Sequence, residues 1–105
     1  MNINLDYKIP DNERGGFSNA ELTRNYLLQA VAAVHPQGIG GQKNRIWGRI
    51  QRKVDDAIDE KKDTIDLEKA EIEFLRKDVF SKDPTVHPAA SKYFTVLEDE
   101  IDSLE

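Results

Sequence analysis

The chain has 105 residues, which suits one domain spanning 1–105 and leaves no room for two. Charged residues make up 33% of it and hydrophobic residues 38%, which is polar for a globular protein but too apolar for a disordered one. It has no cysteine, so disulfide frameworks and thiolate metal sites are excluded, and its net charge of −5 hides a division: residues 22–54 carry six bases and no acid, whereas 55–105 carry sixteen acids against seven bases.

The opening Met1-Asn-Ile-Asn-Leu-Asp-Tyr-Lys8 alternates apolar and polar, with Ile3, Leu5 and Tyr7 on one side. Period two predicts a strand over 2–8 with one buried face. The segment lacks the apolar run of a signal peptide, and no stretch approaches the roughly 20 apolar residues of a membrane span. With the missing cysteine, this sets the expectation of a cytoplasmic protein. Pro10, Asp11, Asn12, Gly15 and Gly16 then break regular structure.

Ser18-Asn-Ala-Glu21 has the spacing of a capping box, so a helix is predicted over 19–34. Its apolar arc is wide, and Ala30-Val-Ala-Ala-Val34 is wholly apolar, which predicts a central, well-buried helix. Pro36, Gly38, Gly40 and Gly41 end it. A second helix is predicted over 42–61, with Ile46, Trp47, Ile50, Val54, Ala57 and Ile58 recurring at spacings of three and four. Gly48 inside it costs about 1 kcal/mol relative to alanine and marks either a close helix contact or a kink.

Thr64-Ile-Asp-Leu67 is short enough to pair with residues 2–8. A third helix is predicted over 68–80, on Ile72, Leu75 and Val79 with Phe74 and Phe80 beside them. Glu68 and Glu71 near its start suit the positive end of the helix dipole. A fourth, over 87–103 from Pro88, would bury Ala90, Phe94, Leu97, Ile101 and Leu104. The fold class read from this order is α+β, mostly α: four helices with a short N-terminal strand able to pair with a second near 63–67, or, without that second strand, four helices with an extended N-terminal arm.

Little in the chain points to catalysis. The two histidines, His35 and His87, each precede a proline at a predicted helix boundary and lack metal-ligand spacing. Carboxylate clusters such as Asp55-Asp56 and Glu98-Asp99-Glu100 read as solvated helix faces, not as dry acid/base sites. Gly38-Ile-Gly40-Gly41-Gln-Lys43 lies ahead of a helix as a phosphate loop does, but a helix precedes it and the Gly-Lys-Ser/Thr ending is missing. The expectation is a non-enzyme with no cofactor and no metal.

The segment from Gln42 to Lys53 is the most informative. Lys43, Arg45, Arg49, Arg52 and Lys53 crowd three helical turns, and Arg45, Arg49 and Arg52 share a face. These five are the candidate partner-binding residues. The charges suit a protein surface, nucleic-acid phosphates, or the chain's own acidic half.

The strand-like opening, Ile65-Asp-Leu67 leading into Glu68-Lys-Ala-Glu-Ile-Glu-Phe-Leu-Arg-Lys77, and the closing segment to Ile101 resemble a group of small, largely uncharacterised tailed-bacteriophage proteins. The long connector at 36–41 departs from that pattern. The resemblance implies a phage setting and transfers no functional residue. The expected function is a small protein-interaction factor, phage- or prophage-encoded, that binds and modulates or assembles a protein partner. The alternative is a nucleic-acid-binding regulator using residues 43–53. No membrane role is expected, and association of the chain with itself is compatible with its small core.

Overall fold

A computed structural model describes residues 1–86 and 91–104, with the backbone alone for 91–93. The reading of His87 and the predicted helix start at Pro88 lie outside the described residues, as does Ala90.

The N-terminal alternation folds as its period dictates. β1 (Asn2–Asn4) pairs antiparallel with β2 (Thr64–Asp66), with Ile3 opposite Ile65. Two flanking bonds, Leu5 N–H to Asp63 O (2.7 Å) and Leu67 N–H to Met1 O (2.9 Å), complete the ribbon. The ladder stops well short of the predicted residue 8, yet the alternation outlasts it: Ile3, Leu5, Tyr7 and Ile9 are all buried. A ribbon this short is not stable alone, so the arm is held by its side chains, which lie in the common core.

α1 (Asn19–Val34) starts where its capping box places it. Ser18 Oγ accepts from Glu21 N–H, and Glu21 Oε1 accepts from Ser18 N–H. Its inner face carries Ala20, Thr23, Tyr26, Leu27, Ala30 and Val31. The expectation of a well-buried helix is corrected here. Leu28, Ala32 and Ala33 face solvent. The apolar arc is wider than any one contact face, and alanine loses little by exposure, so the surplus remains outside.

α2 (Gly41–Asp59) buries Trp47, Ile50, Val54 and Ala57. It ends two residues before the predicted 61 because Lys61 takes a left-handed conformation (φ 56°) and Lys62 N–H bonds back to Ala57 O (2.8 Å). This closure usually uses glycine, and so it left no glycine signal to read.

The third predicted helix is continuous but not regular. α3 (Lys69–Phe74) widens into a π-helical turn over Leu75–Val79, then tightens into a 3-10 turn over Phe80–Lys82. Ile72, Phe74, Leu75 and Val79 are buried along it. Asp83, at φ 54°, ends the run ahead of Pro84. α4 (Ser91–Ser103) adds Phe94, Leu97 and Ile101 to the core.

Aromatic rings join the layers. Tyr26 stacks on Phe94 (centroids 4.0 Å apart), and Tyr7 meets Phe94 edge-on at 5.5 Å. Tyr7 Oη donates to Thr23 Oγ1 (2.6 Å), which itself donates to Asn19 O (2.8 Å). Tyr26 Oη donates to the Glu98 carboxylate. The fold is thus α+β and mostly α, with four helices and one two-stranded antiparallel sheet among the described residues. None of these helices is long and apolar enough to cross a membrane.

Two outcomes follow. Leu5→Ala leaves a hole under the arm and lowers the unfolding free energy by about 2–5 kcal/mol, measured by urea denaturation. Burial also pushes the Tyr7 and Tyr26 hydroxyls above the ordinary phenol range, with Glu98 adding to the rise at Tyr26. The unfolded chain ionises these phenols near pH 10, before the folded one does. Stability contributed by the neutral phenols is therefore complete below about pH 10 and falls as pH rises past it. Tyr7→Phe with Tyr26→Phe should flatten that alkaline decline, as followed by circular dichroism.

Candidate functional site

The five basic residues singled out in the sequence all lie on α2, but the fold divides them. At 3.6 residues per turn, the buried stripe of Trp47, Ile50, Val54 and Ala57 fixes which side chains point where. Arg49 and Lys53 fall on the flank facing α3. Arg45 and Arg52 fall on the opposite, solvent side, one on each side of Gly48.

The flank is organised by Glu71, whose side chain is 0% exposed. Lys53 Nζ donates to Glu71 Oε1 at 2.5 Å, and the Glu68 backbone N–H donates to the same oxygen at 2.8 Å. Arg49 Nε lies 3.7 Å from Oε2, an ion pair beyond hydrogen-bonding reach. Oε2 accordingly has no hydrogen-bond partner among the described residues. A buried carboxylate without countercharge is costly, so these two bases hold α2 and α3 in one relation. From the sequence Glu71 suits the positive end of the helix dipole; its burial against Lys53 gives it this second role. The available signal was its spacing: Phe74 and Leu75, three and four residues on, are both buried, so Glu71 shares their face.

Lys43 is held as well, with Nζ donating to Asp78 Oδ1 at 3.0 Å. Asp78 also fixes the connector before α2, where His35 Nε2 donates to the Asp78 carbonyl oxygen (2.9 Å). The His35 ring lies along Phe74 at 6.4 Å between centroids. This histidine therefore joins the end of α1 to the π-helical turn. Among the described residues, no group of three or more histidine and carboxylate side chains is arranged to hold a metal ion.

Arg45 and Arg52 remain. Both are exposed, and among the described residues neither has a carboxylate within ion-pair distance. Gly48 between them is also exposed, and a Cβ built on it would meet nothing within 4 Å. It has ordinary helical backbone, since it is absent from the positive-φ positions. The close-contact reason for this glycine does not hold inside the chain: among the described residues nothing packs against it. Beyond Arg52 the same face turns acidic, with Asp55, Asp56 and Asp59 exposed. Arg24 of α1 reaches Asp55 across the helix pair at 3.9 Å.

Compared with protein-family models, curated proteins and solved structures, the chain matches none of them.

The Glu71 clamp has a direct test. Lys53→Met leaves the buried carboxylate with Arg49 alone and should cost up to about 3 kcal/mol in urea denaturation. Adding Glu71→Met removes the stranded charge and should recover most of that loss, because a buried ion pair and a packed apolar pair are often close in stability.

Proposed function

We propose that this chain is a small protein-interaction factor with no chemistry of its own, acting in the cytoplasm in a phage or prophage setting. It binds a protein partner through the solvent face of α2 and so modulates or assembles that partner. The observation that carries this reading is Gly48. Glycine weakens a helix by about 1 kcal/mol relative to alanine, and at this position no internal contact offsets the loss. A surface that another backbone approaches closely accounts for it. Arg45 and Arg52, without partners among the described residues, flank it, and arginine is enriched at the energetic centres of protein interfaces.

The nucleic-acid reading rests on the same two arginines but meets an obstacle on the same helix. Asp55, Asp56 and Asp59 continue the face, so a phosphate backbone running along α2 would pass from attraction to repulsion within two turns. A protein surface can match such a change of sign. The phage setting rests on the pattern resemblance alone.

Capture from the native host, with nuclease treatment, tests the reading. The expected result is a protein partner that survives nuclease and is lost with Arg45→Glu plus Arg52→Glu. Gly48→Ala should raise the unfolding free energy by about 0.4–1 kcal/mol while weakening capture. Capture abolished by nuclease, together with a DNA mobility shift at low salt, would replace this reading with the nucleic-acid one.

A further inference from the structure

The solvent face of α2 has a charge pattern that fits one occupant in particular. Arg45, Gly48, Arg52, Asp55 and Asp59 succeed each other at spacings of three and four, so they form a single seam along the helix. This seam lies opposite the buried stripe. Its first half is positive and its second half negative. The sign changes between Arg52 and Asp55.

A face that inverts its charge about its own midpoint is complementary to itself when turned end for end. That is the requirement for a two-fold interface, in which one patch meets its own copy. We propose that α2 docks α2 of a second copy of this chain, antiparallel, about an axis near residues 53–54. In that register Arg52 faces Asp55 of the second copy, and the same pair recurs across the axis, while Arg45 reaches past the last turn of the second copy's α2 and adds no pair. Gly48 faces Asp59 of the second copy, where the missing side chain allows the helices to approach. A parallel arrangement would set like charge on like.

The neighbouring helix α1, which contacts α2 and meets Asp55 through Arg24, also exposes apolar side chains. Leu28 is 41% exposed, and Ala32 follows it one turn on, also exposed. Asp55 stays available because its contact with Arg24 is long and its side chain is 56% exposed. The cross-axis pairs are solvent-accessible, so each is weak and screened by salt. The dimer is accordingly dependent on concentration and ionic strength.

This inference rests on the proposed role of α2 and names the partner of that face. Sedimentation equilibrium of the full chain at low salt should show a monomer–dimer equilibrium that shifts to monomer as salt rises. Two variants then divide the face. Arg52→Glu sets acid on acid across the axis, and Asp55→Lys sets base on base there, giving up only the long, exposed contact with Arg24. Each alone should dimerise at least about tenfold more weakly, with helicity by circular dichroism unchanged. Mixed in equal amounts, the two should associate one to one, a recovery that misfolded variants cannot produce. A wild-type chain that stays monomeric, a dimer indifferent to both variants, or a mixture that does not associate would each overturn the proposal. If the wild type is monomeric but a host protein is still lost on Arg45→Glu with Arg52→Glu, self-docking falls and the wider reading of the face stands. If no captured protein depends on those arginines either, both fall.

Discussion

Glu71 is the constraint from which the arrangement of charge on this molecule follows. A carboxylate removed from water must find cations and donors, and those within reach are Lys53, the Glu68 N–H and, at longer range, Arg49. Meeting that need fixes the rotation of α2 about its own axis, since Trp47, Ile50 and Val54 must enter the core at the same time. Once α2 is set this way, Arg45 and Arg52 have no choice but solvent. The exposed basic patch is a consequence of the buried acid.

The same logic explains why a chain with so short a sheet holds together. The ladder of three residue pairs contributes little by itself. What holds the arm is the burial of Ile3, Leu5, Tyr7 and Ile9 together with the aromatic contacts of Tyr7 and Tyr26 with Phe94. The arm also meets α4, where Asn4 N–H donates to Glu100 Oε1 at 3.1 Å. Polar links run along the edges of this packing: Arg76 Nη1 donates to Leu104 O, and Asn19 Nδ2 donates to Asp63. They orient elements that apolar burial has already brought together.

Much of this was legible in the residues, and the parts that were not have physical causes. The bounds of α1 follow from Ser18, Glu21 and Pro36, because capping and proline chemistry act locally. The end of α2 was misplaced because Lys61 adopts a conformation that gives no sequence warning. The π-helical turn in the third helix is invisible for a related reason: the stripe of Ile72, Leu75 and Val79 has the same spacing as an α-helix, and the widening shows only in the folded backbone. The exposure of Leu28, Ala32 and Ala33 could not be read from composition, because an apolar face and a buried face are different things until the neighbours are known. At the candidate site, the positions of the basic residues were readable, but their division was not. Which bases face a buried acid depends on a partner eighteen residues away from Lys53.

That division changes what the net charge means. With Lys43, Arg49 and Lys53 each turned to an internal carboxylate, part of the basic charge of residues 22–54 is neutralised within the fold. Arg45 and Arg52 are left as an island of positive charge beside Asp55, Asp56 and Asp59 on an acidic molecule. Screening limits how far such an island can attract. At contact distance, however, a reversal of sign within one helix fixes direction, since a partner helix laid the wrong way meets repulsion at both ends. The arrangement therefore favours orientation over strength. On the proposed role of this face, the sign change between Arg52 and Asp55 determines a partner's orientation more than the number of charges on either side does.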